Sequence, residues 1–253
     1  MRSPLKSFCK GFLIGTACIC ALALVWLCWV RPGITAHEAE SLKAAYTTSP
    51  GASGSGAGLL PAGKESAPAL NFAALQAQYP DIRAWLTIPG TVVDYPVLQS
   101  NASNPEYYLR RNHKGEYRTA GSLFFQSDCV RENRVLVIYG HNMTDGTMFG
   151  CLPQFMCEEN MAACSSIQLQ MPDGVHHYRV AAMLETDVSR VPFNRTVFAD
   201  DADFLKHTQS LLDSAAVKTG IPITADSRLL VLVTCSYSWP DARYVIVAVE
   251  NAA

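Results

Sequence analysis

The sequence predicts a mainly β domain of about eight strands, closed as a barrel or stacked as a sandwich, with added helices. An N-terminal transmembrane helix precedes it. Three observations lead there. Eight short apolar runs crowd into roughly 180 residues. Turn residues, Pro89 with Gly90 and Pro172 with Asp173 and Gly174, separate some of them. A twenty-residue stretch without a charge, 11–30, sits behind a basic tip.

That N-terminal stretch comes first. Arg2, Lys6 and Lys10 mark a cytoplasmic tail over 1–10, and the apolar run 11–30 ends at Arg31 and Pro32. Twenty residues of helix rise about 30 Å, enough to cross a bilayer core. Three cations before the run against one just after it favour a cytoplasmic N-terminus and an exported body. A cleaved signal peptide is the alternative. Its apolar region is usually shorter, about 7–15 residues, and ends in an Ala-x-Ala-like site, for which Thr35, Ala36 and His37 are a poor match. The expectation is a single-pass membrane protein held in lipid through 11–30, with its catalytic part outside the cell.

Residues 31–70 read as a juxtamembrane segment and linker. A short helix is expected over 37–46, and 47–69 is rich in Gly, Ser, Ala and Pro with few core-forming residues. The folded domain spans 71–253. Asn71 caps a helix over 72–78 that Pro80 stops. Strands follow at 85–88, 91–98, 122–125, 135–139, 167–171, 177–185, 229–234 and 244–249. Helices are expected over 147–155 and 200–216, the second burying Phe204, Leu205, Leu211 and Leu212 behind acids in its first turn.

Hydrophobic residues make up 49% of the 253-residue chain and the net charge is −2, so nothing electrostatic favours nucleic acid as a partner. Nine cysteines divide between the membrane region and the body. The body holds Cys129, Cys151, Cys157, Cys164 and Cys235. Five is odd, so at least one lacks an intrachain partner. For the first four, small buried hydrophobes, disulfides and a metal site are all open readings; their spacing is not that of a metal site, and neither metal nor cofactor is expected.

Chemistry concentrates where strands end. Cys235 closes the run 229–235, and polar residues follow at once. Eight residues later Arg243 opens the next run. His141 stands just past the strand 135–139, after Gly140. A strand cysteine is usually a buried hydrophobe, and the other histidines, His37, His113, His176, His177 and His207, read as surface residues. A thiol, an imidazole and a guanidinium all delivered to strand ends are, by contrast, the parts of a cysteine acyl-transferase. Arg243 stays charged at any physiological pH, which suits a developing oxyanion and not proton transfer. Asp241 reads as a solvated turn carboxylate.

These residues and their flanks resemble a sortase of class B. The class carries a Thr-Leu-x-Thr-Cys strand; here Val231, Leu232, Val233, Thr234 and Cys235 match it except for Val231 in the first place. The stretch 235–243 resembles the class in length and in its ending, Asp241, Ala242, Arg243. Tyr139, Gly140, His141, Asn142 and Met143, with Met148 and Phe149, resemble the histidine segment. Stretches 85–97, 107–109 and 120–124 resemble the first half of the barrel, so the likeness covers about 71–250. It implies a closed β-barrel with added helices. It also implies that Cys235 cuts a sorting signal and forms a thioester, that His141 serves as acid and base, and that Arg243 holds the carbonyl or oxyanion. Tyr139, Leu109, Thr234 and Ser236 are the implied substrate contacts. The implied partners are surface proteins or pilins bearing a sorting signal, and an amine acceptor such as a peptidoglycan precursor or a pilin lysine. Gln126 stands where the class often has an acid, and Val233 where it often has a hydroxyl. An exported cysteine endopeptidase on the same barrel and a non-catalytic surface module are the rival readings. The compact Ser-His-Gly-Cys segment of L,D-transpeptidases is absent.

Overall fold

A computed structural model of the chain describes residues 31–47 and 69–251, together with Thr16, Cys18 and Ile19. Strand β1 (Ile82–Thr87) pairs antiparallel with β2 (Asp94–Gln99) and with β5 (Ser166–Met171). From β2 the sheet continues parallel to β3 (Leu123–Phe125), antiparallel to β4 (Val135–Tyr139) and parallel to β8 (Leu229–Cys235). It then runs antiparallel through β9 (Arg243–Glu250) to β6 (Gly174–Thr186). The first half of β6 pairs back onto β5, which closes an eight-stranded barrel and chooses the barrel over the sandwich. A ninth strand, β7 (Val217–Lys218), extends the sheet along the second half of β6.

The apolar runs form these strands because both faces of the central ones are covered. Leu229 to Val233 of β8 and Val245 to Ala248 of β9 have no exposed surface at all. Strands buried on both faces read as continuous hydrophobic runs and not as alternation. Trp85 of β1 is fully buried, yet its indole N–H is satisfied by Asp94 at 2.7 Å.

Among the residues from 31 onward that the structure describes there are four α-helices: α1 (Arg31–Tyr46), α2 (Phe72–Gln78), α3 (Glu158–Ala163) and α4 (Asp201–Asp213). Contacts divide the chain after Glu38, so the folded unit, Ala39–Ala253, takes in the C-terminal turns of α1 as well as the predicted domain. There Ala39 and Leu42 are buried, and Lys43 reaches both oxygens of Asp94 at 2.7 Å. In α2 the Asn71 side chain accepts from Ala74 N–H at 3.0 Å, as a cap should. Asp200 caps α4 through Asp203 N–H at 2.8 Å. The transmembrane reading of 11–30 lies outside the described residues, three positions apart; among the described residues no helix is long and apolar enough to cross a membrane.

Three expectations are corrected. No helix spans 147–155. Met148 sits at φ 53° in a turn, and Pro153, which has no N–H for an interior helical bond, stands in the first turn of a 3-10 helix, Leu152–Met156. On α4, Leu205 is 37% exposed, and the buried face is Phe204, His207, Thr208 and Leu211, the i, i+3, i+4, i+7 stripe. His207 is therefore not a surface residue. It is 4% exposed, packs 5.1 Å from the Phe198 ring, and its Nε2 has no partner.

Burial, helped by the nearby Arg195 charge and opposed by Asp203, pushes the His207 pKa down to about 4. An unfolded histidine protonates near pH 6.5. Between those values the unfolded state binds the extra proton, so stability from this site is complete above about pH 6.5 and falls toward pH 4. The loss should be about 1–3 kcal/mol. Thermal unfolding measured from pH 7 to 4.5 should show a shallower decline in His207→Leu than in the wild type. Parallel curves would show that His207 does not contribute.

Candidate active site

Strand β8 lies between β4 and β9, and that placement assembles the site. In the β8–β9 ladder the last partners are Cys235 and Arg243. Directly paired antiparallel residues project from the same face with Cβ atoms about 4.5–5.5 Å apart. The turn between them is closed by Ser236 N–H to Ala242 C=O at 2.8 Å and Ala242 N–H to Trp239 C=O at 3.2 Å, with Asp241 at φ 62°.

On the other side β4 runs parallel to β8, with Tyr139 opposite Val233. The ladder runs on past the strand: Gly140 N–H donates to Val233 C=O at 3.1 Å, and the buried Thr234 hydroxyl donates to Gly140 C=O at 2.8 Å. Asn142 Nδ2 then donates to the carbonyl of Cys235 itself at 2.8 Å. These bonds fasten the histidine segment to the cysteine. Gly140 is required there, because a Cβ would stand 2.5 Å from Leu123 and 2.7 Å from Phe149.

The half-buried His141 ring makes one decisive contact, Nε2 to the carbonyl oxygen of Leu109 at 2.7 Å. A carbonyl only accepts, so Nε2 carries the hydrogen, and in the neutral ring Nδ1 holds the free lone pair. Burial pushes the His141 pKa down, the Leu109 bond opposes this, and the Arg110 charge adds to it. The ring is thus a neutral base at pH 7. Gly121 keeps the Leu109 carbonyl in place: at φ 59° it approaches so closely that a Cβ would lie 2.2 Å from that oxygen.

Arg243 donates from Nη1 to Ala242 C=O at 2.9 Å. Among the described residues it has no ion pair. Tyr139 stacks on Phe124 at 5.7 Å and donates to Gln126 at 2.9 Å. Burial pushes its phenol up to about 12, so the hydroxyl stays protonated as a donor. Thus Gln126, where the class often has an acid, holds Tyr139 and also donates to Asn194 C=O at 2.9 Å. The fully buried Val233 turns no hydroxyl toward the site.

The structure therefore brings Cys235, His141 and Arg243 to one end of the barrel, with Leu109 and Tyr139 around them. Thr234 and Ser236 sit differently: they are 2% and 5% exposed, and their hydroxyls are spent on Gly140 and on Glu185. Residue patterns did not single out Asn142, Glu185, Asp187 or Trp239. Of these, only Asn142 had a signal, its place next to His141. The six described cysteines are free thiols; Cys129 is buried, which pushes its pKa up to about 11, and Cys157 is exposed. No group of three metal-type ligands occurs among the described residues.

The Sortase domain family matches residues 86–251. The chain belongs to the sortase family. Its relatives are of class B. Sortase B of Listeria monocytogenes is 32% identical over 167 residues, 64% of this chain and 65% of that protein, just under two thirds of the relative's length. The solved Clostridium perfringens sortase B superposes with a TM-score of 0.67 at 28% identity, covering 72% of this chain and all of that one. The Staphylococcus aureus sortase B–substrate complex gives 0.66 at 26% identity, covering 72% and 85%. The family's members are cysteine transpeptidases, and the class B assignment rests on these matches together with the motifs.

Replacing Arg243 by Lys keeps a charge but removes the planar fork of donors. Peptide cleavage by Arg243→Lys should fall about 10²–10³-fold in kcat/KM, the usual cost of one oxyanion donor. Near-normal turnover would make Arg243 a structural cation only.

Proposed function

We propose that this chain is a membrane-anchored class B sortase that cleaves a C-terminal sorting signal and transfers the acyl group to an amine of the cell wall or of a pilin. The observation that carries the reading is the facing pair Cys235 and Arg243, with the His141 segment hydrogen-bonded to the cysteine's own backbone. The S. aureus relative, solved as a sortase B–substrate complex, supports a substrate of the sortase type.

In that reading the Nδ1 lone pair of His141 takes the Cys235 proton, and the sulfur attacks the scissile carbonyl carbon. The carbonyl oxygen gains the negative charge and meets the Arg243 guanidinium. The C–N bond then breaks, the leaving amine takes the proton from His141, and a thioester remains on Cys235. An acceptor amine attacks that thioester and passes its proton to His141. The C–S bond breaks, the sulfur recovers the proton, and a new amide leaves. Water in place of the amine gives hydrolysis, which is the endopeptidase alternative on the same groups.

The charge-free run 11–30 behind Arg2, Lys6 and Lys10 supports an anchor with the catalytic domain outside. Such a tether concentrates the enzyme near membrane-borne amines, which favours transfer over hydrolysis. Protease added to intact protoplasts should then remove the body and leave the anchor; a protected body would contradict this topology.

The chemistry is tested with a panel of Asn-Pro-x-Thr-x and Pro-x-Thr-Gly peptides, offered with oligoglycine or diaminopimelate-containing stems and read by mass spectrometry. Joined products are expected, with slow hydrolysis when amines are withheld. Cys235→Ala should form no acyl-enzyme, whereas Cys151→Ala, Cys157→Ala and Cys164→Ala should retain it. Cleavage by Cys235→Ala would refute the assignment, and hydrolysis alone with every amine would replace transpeptidase by endopeptidase.

A further inference from the structure

The turn joining nucleophile to guanidinium is carried by two acids of a third strand. At the end of β6, Glu185 is the register partner of Tyr244 and Thr186 that of Arg243. The half-buried Glu185 carboxylate accepts from the hydroxyls of Ser236 and of Ser238, the latter at 2.5 Å. Ser236 is bonded to Cys235, and Tyr244 to Arg243. Two residues on, Asp187 accepts from the Trp239 indole at 3.1 Å and is paired with Arg190, whose guanidinium lies 4.8 Å from the Trp239 ring centre. The whole segment 236–242 thus hangs from one strand end.

Among the described contacts, Glu185 has hydroxyl partners and no cation. Burial works against its ionisation, yet the hydroxyls of Ser236, Ser238 and Tyr244 outweigh burial and hold the carboxyl below its usual range. An ionised carboxylate offers acceptor sites only, so the Ser236 and Ser238 hydroxyls must point inward at it. That fixes the chain immediately after the thiol, while the β6–β9 register sets the same residue beside Tyr244, immediately after the guanidinium.

We propose that Glu185 is a positioning residue for acyl transfer: its carboxylate clamps Ser236 and Ser238 and thereby sets the thiol of Cys235 against the guanidinium of Arg243. The inference rests on the sortase reading for its meaning in turnover, but its geometry is testable without any sorting peptide. Oxyanion stabilisation depends on donors fixed in advance, and small misplacements cost rate with little effect on ground-state binding.

The test compares alkylation of Cys235 by iodoacetate and by iodoacetamide at low ionic strength, resolved from the other cysteines by peptide mass spectrometry. Each reaction forms a C–S bond from the thiolate and releases iodide; only the first reagent is an anion. A guanidinium beside the sulfur favours the anion, so the wild-type rate ratio should exceed that of Arg243→Gln by about fivefold, roughly what two charges near 4 Å gain in water. Positioning predicts that Glu185→Gln lowers the ratio toward that of Arg243→Gln, with Glu185→Asp between. Simple removal of a nearby negative charge predicts the opposite, a higher ratio. A ratio that rises or stays unchanged overturns the proposal.

On any peptide the wild type cleaves, Glu185→Gln should lower kcat about tenfold or more with KM within about twofold. A joint collapse of kcat, KM and thermal stability would mark a merely structural residue and also overturns it. If Glu185→Gln does not fold, the double variant Ser236→Ala with Ser238→Ala removes two of the donors and should lower the alkylation ratio in the same direction. A wild type that processes no peptide defeats the transpeptidase reading and leaves the alkylation ratio to decide the clamp.

Discussion

The register of β8 is the constraint on which the site depends. One strand meets β4 in parallel on one side and β9 antiparallel on the other. The first pairing decides which residue lies beside the histidine segment, and the second decides which residue faces Arg243. A slip of one residue would turn every side chain of β8 to the opposite face and remove Cys235 from both neighbours. The slip is prevented by ordinary burial. Leu229 to Val233 are wholly enclosed, and each has its place in a filled core. The candidate site thus inherits its precision from the least reactive part of the molecule.

Beyond the last ladder bond, precision passes to side chains and close backbone contacts. Thr234 and Asn142 bind the two strand ends together, Gly121 lets the Leu109 backbone approach where a Cβ would collide, and Gly140 makes room for the Leu123 and Phe149 side chains. Leu109 has a particular part in this. Many catalytic histidines are oriented by a carboxylate, which also favours the protonated ring. A main-chain carbonyl orients His141 here, fixing the same tautomer without a full negative charge. Burial can then keep the ring neutral and ready to accept a proton. The choice of orienting group therefore sets the ring's protonation state as well as its direction.

Much of this was legible in the sequence. The eight barrel strands follow from apolar runs and turn residues, and Cys235, His141 and Arg243 stood out as polar residues at the ends of such runs. The unreadable parts share a physical cause. β7 has two residues and α3 has six, too few to show a period. His207 looked like a surface residue because periodicity counts only apolar positions, and the structure buries a neutral imidazole in that stripe. The class B resemblance implies Thr234 and Ser236 as substrate contacts, and in the structure their hydroxyls complete inward hydrogen bonds. Glu185 is separated from Cys235 by fifty residues and meets it only through the β6–β9 register, and no local pattern carries that information.

The charge balance at this end of the barrel has the same logic. Arg243 is most useful when no carboxylate neutralises it, yet two acids stand at the end of the adjacent strand. An acid near a guanidinium would normally pair with it, because such bidentate bonds are strong. Here Glu185 is engaged by neutral hydroxyls, and Asp187 by an indole and by Arg190. Hydrogen bonds from neutral donors satisfy a carboxylate while leaving its charge in place, so they cost Arg243 none of its own donors. Were either acid to turn toward Arg243, the ion pair would gain little at this part-exposed site, since screening by solvent limits such pairs to about 0–1 kcal/mol. Turning Glu185 would meanwhile give up the hydrogen bonds from Ser236 and Ser238, each worth about 1.5–3 kcal/mol to a charged group. That difference in cost keeps Glu185 in its cage and the Arg243 guanidinium without an acid partner.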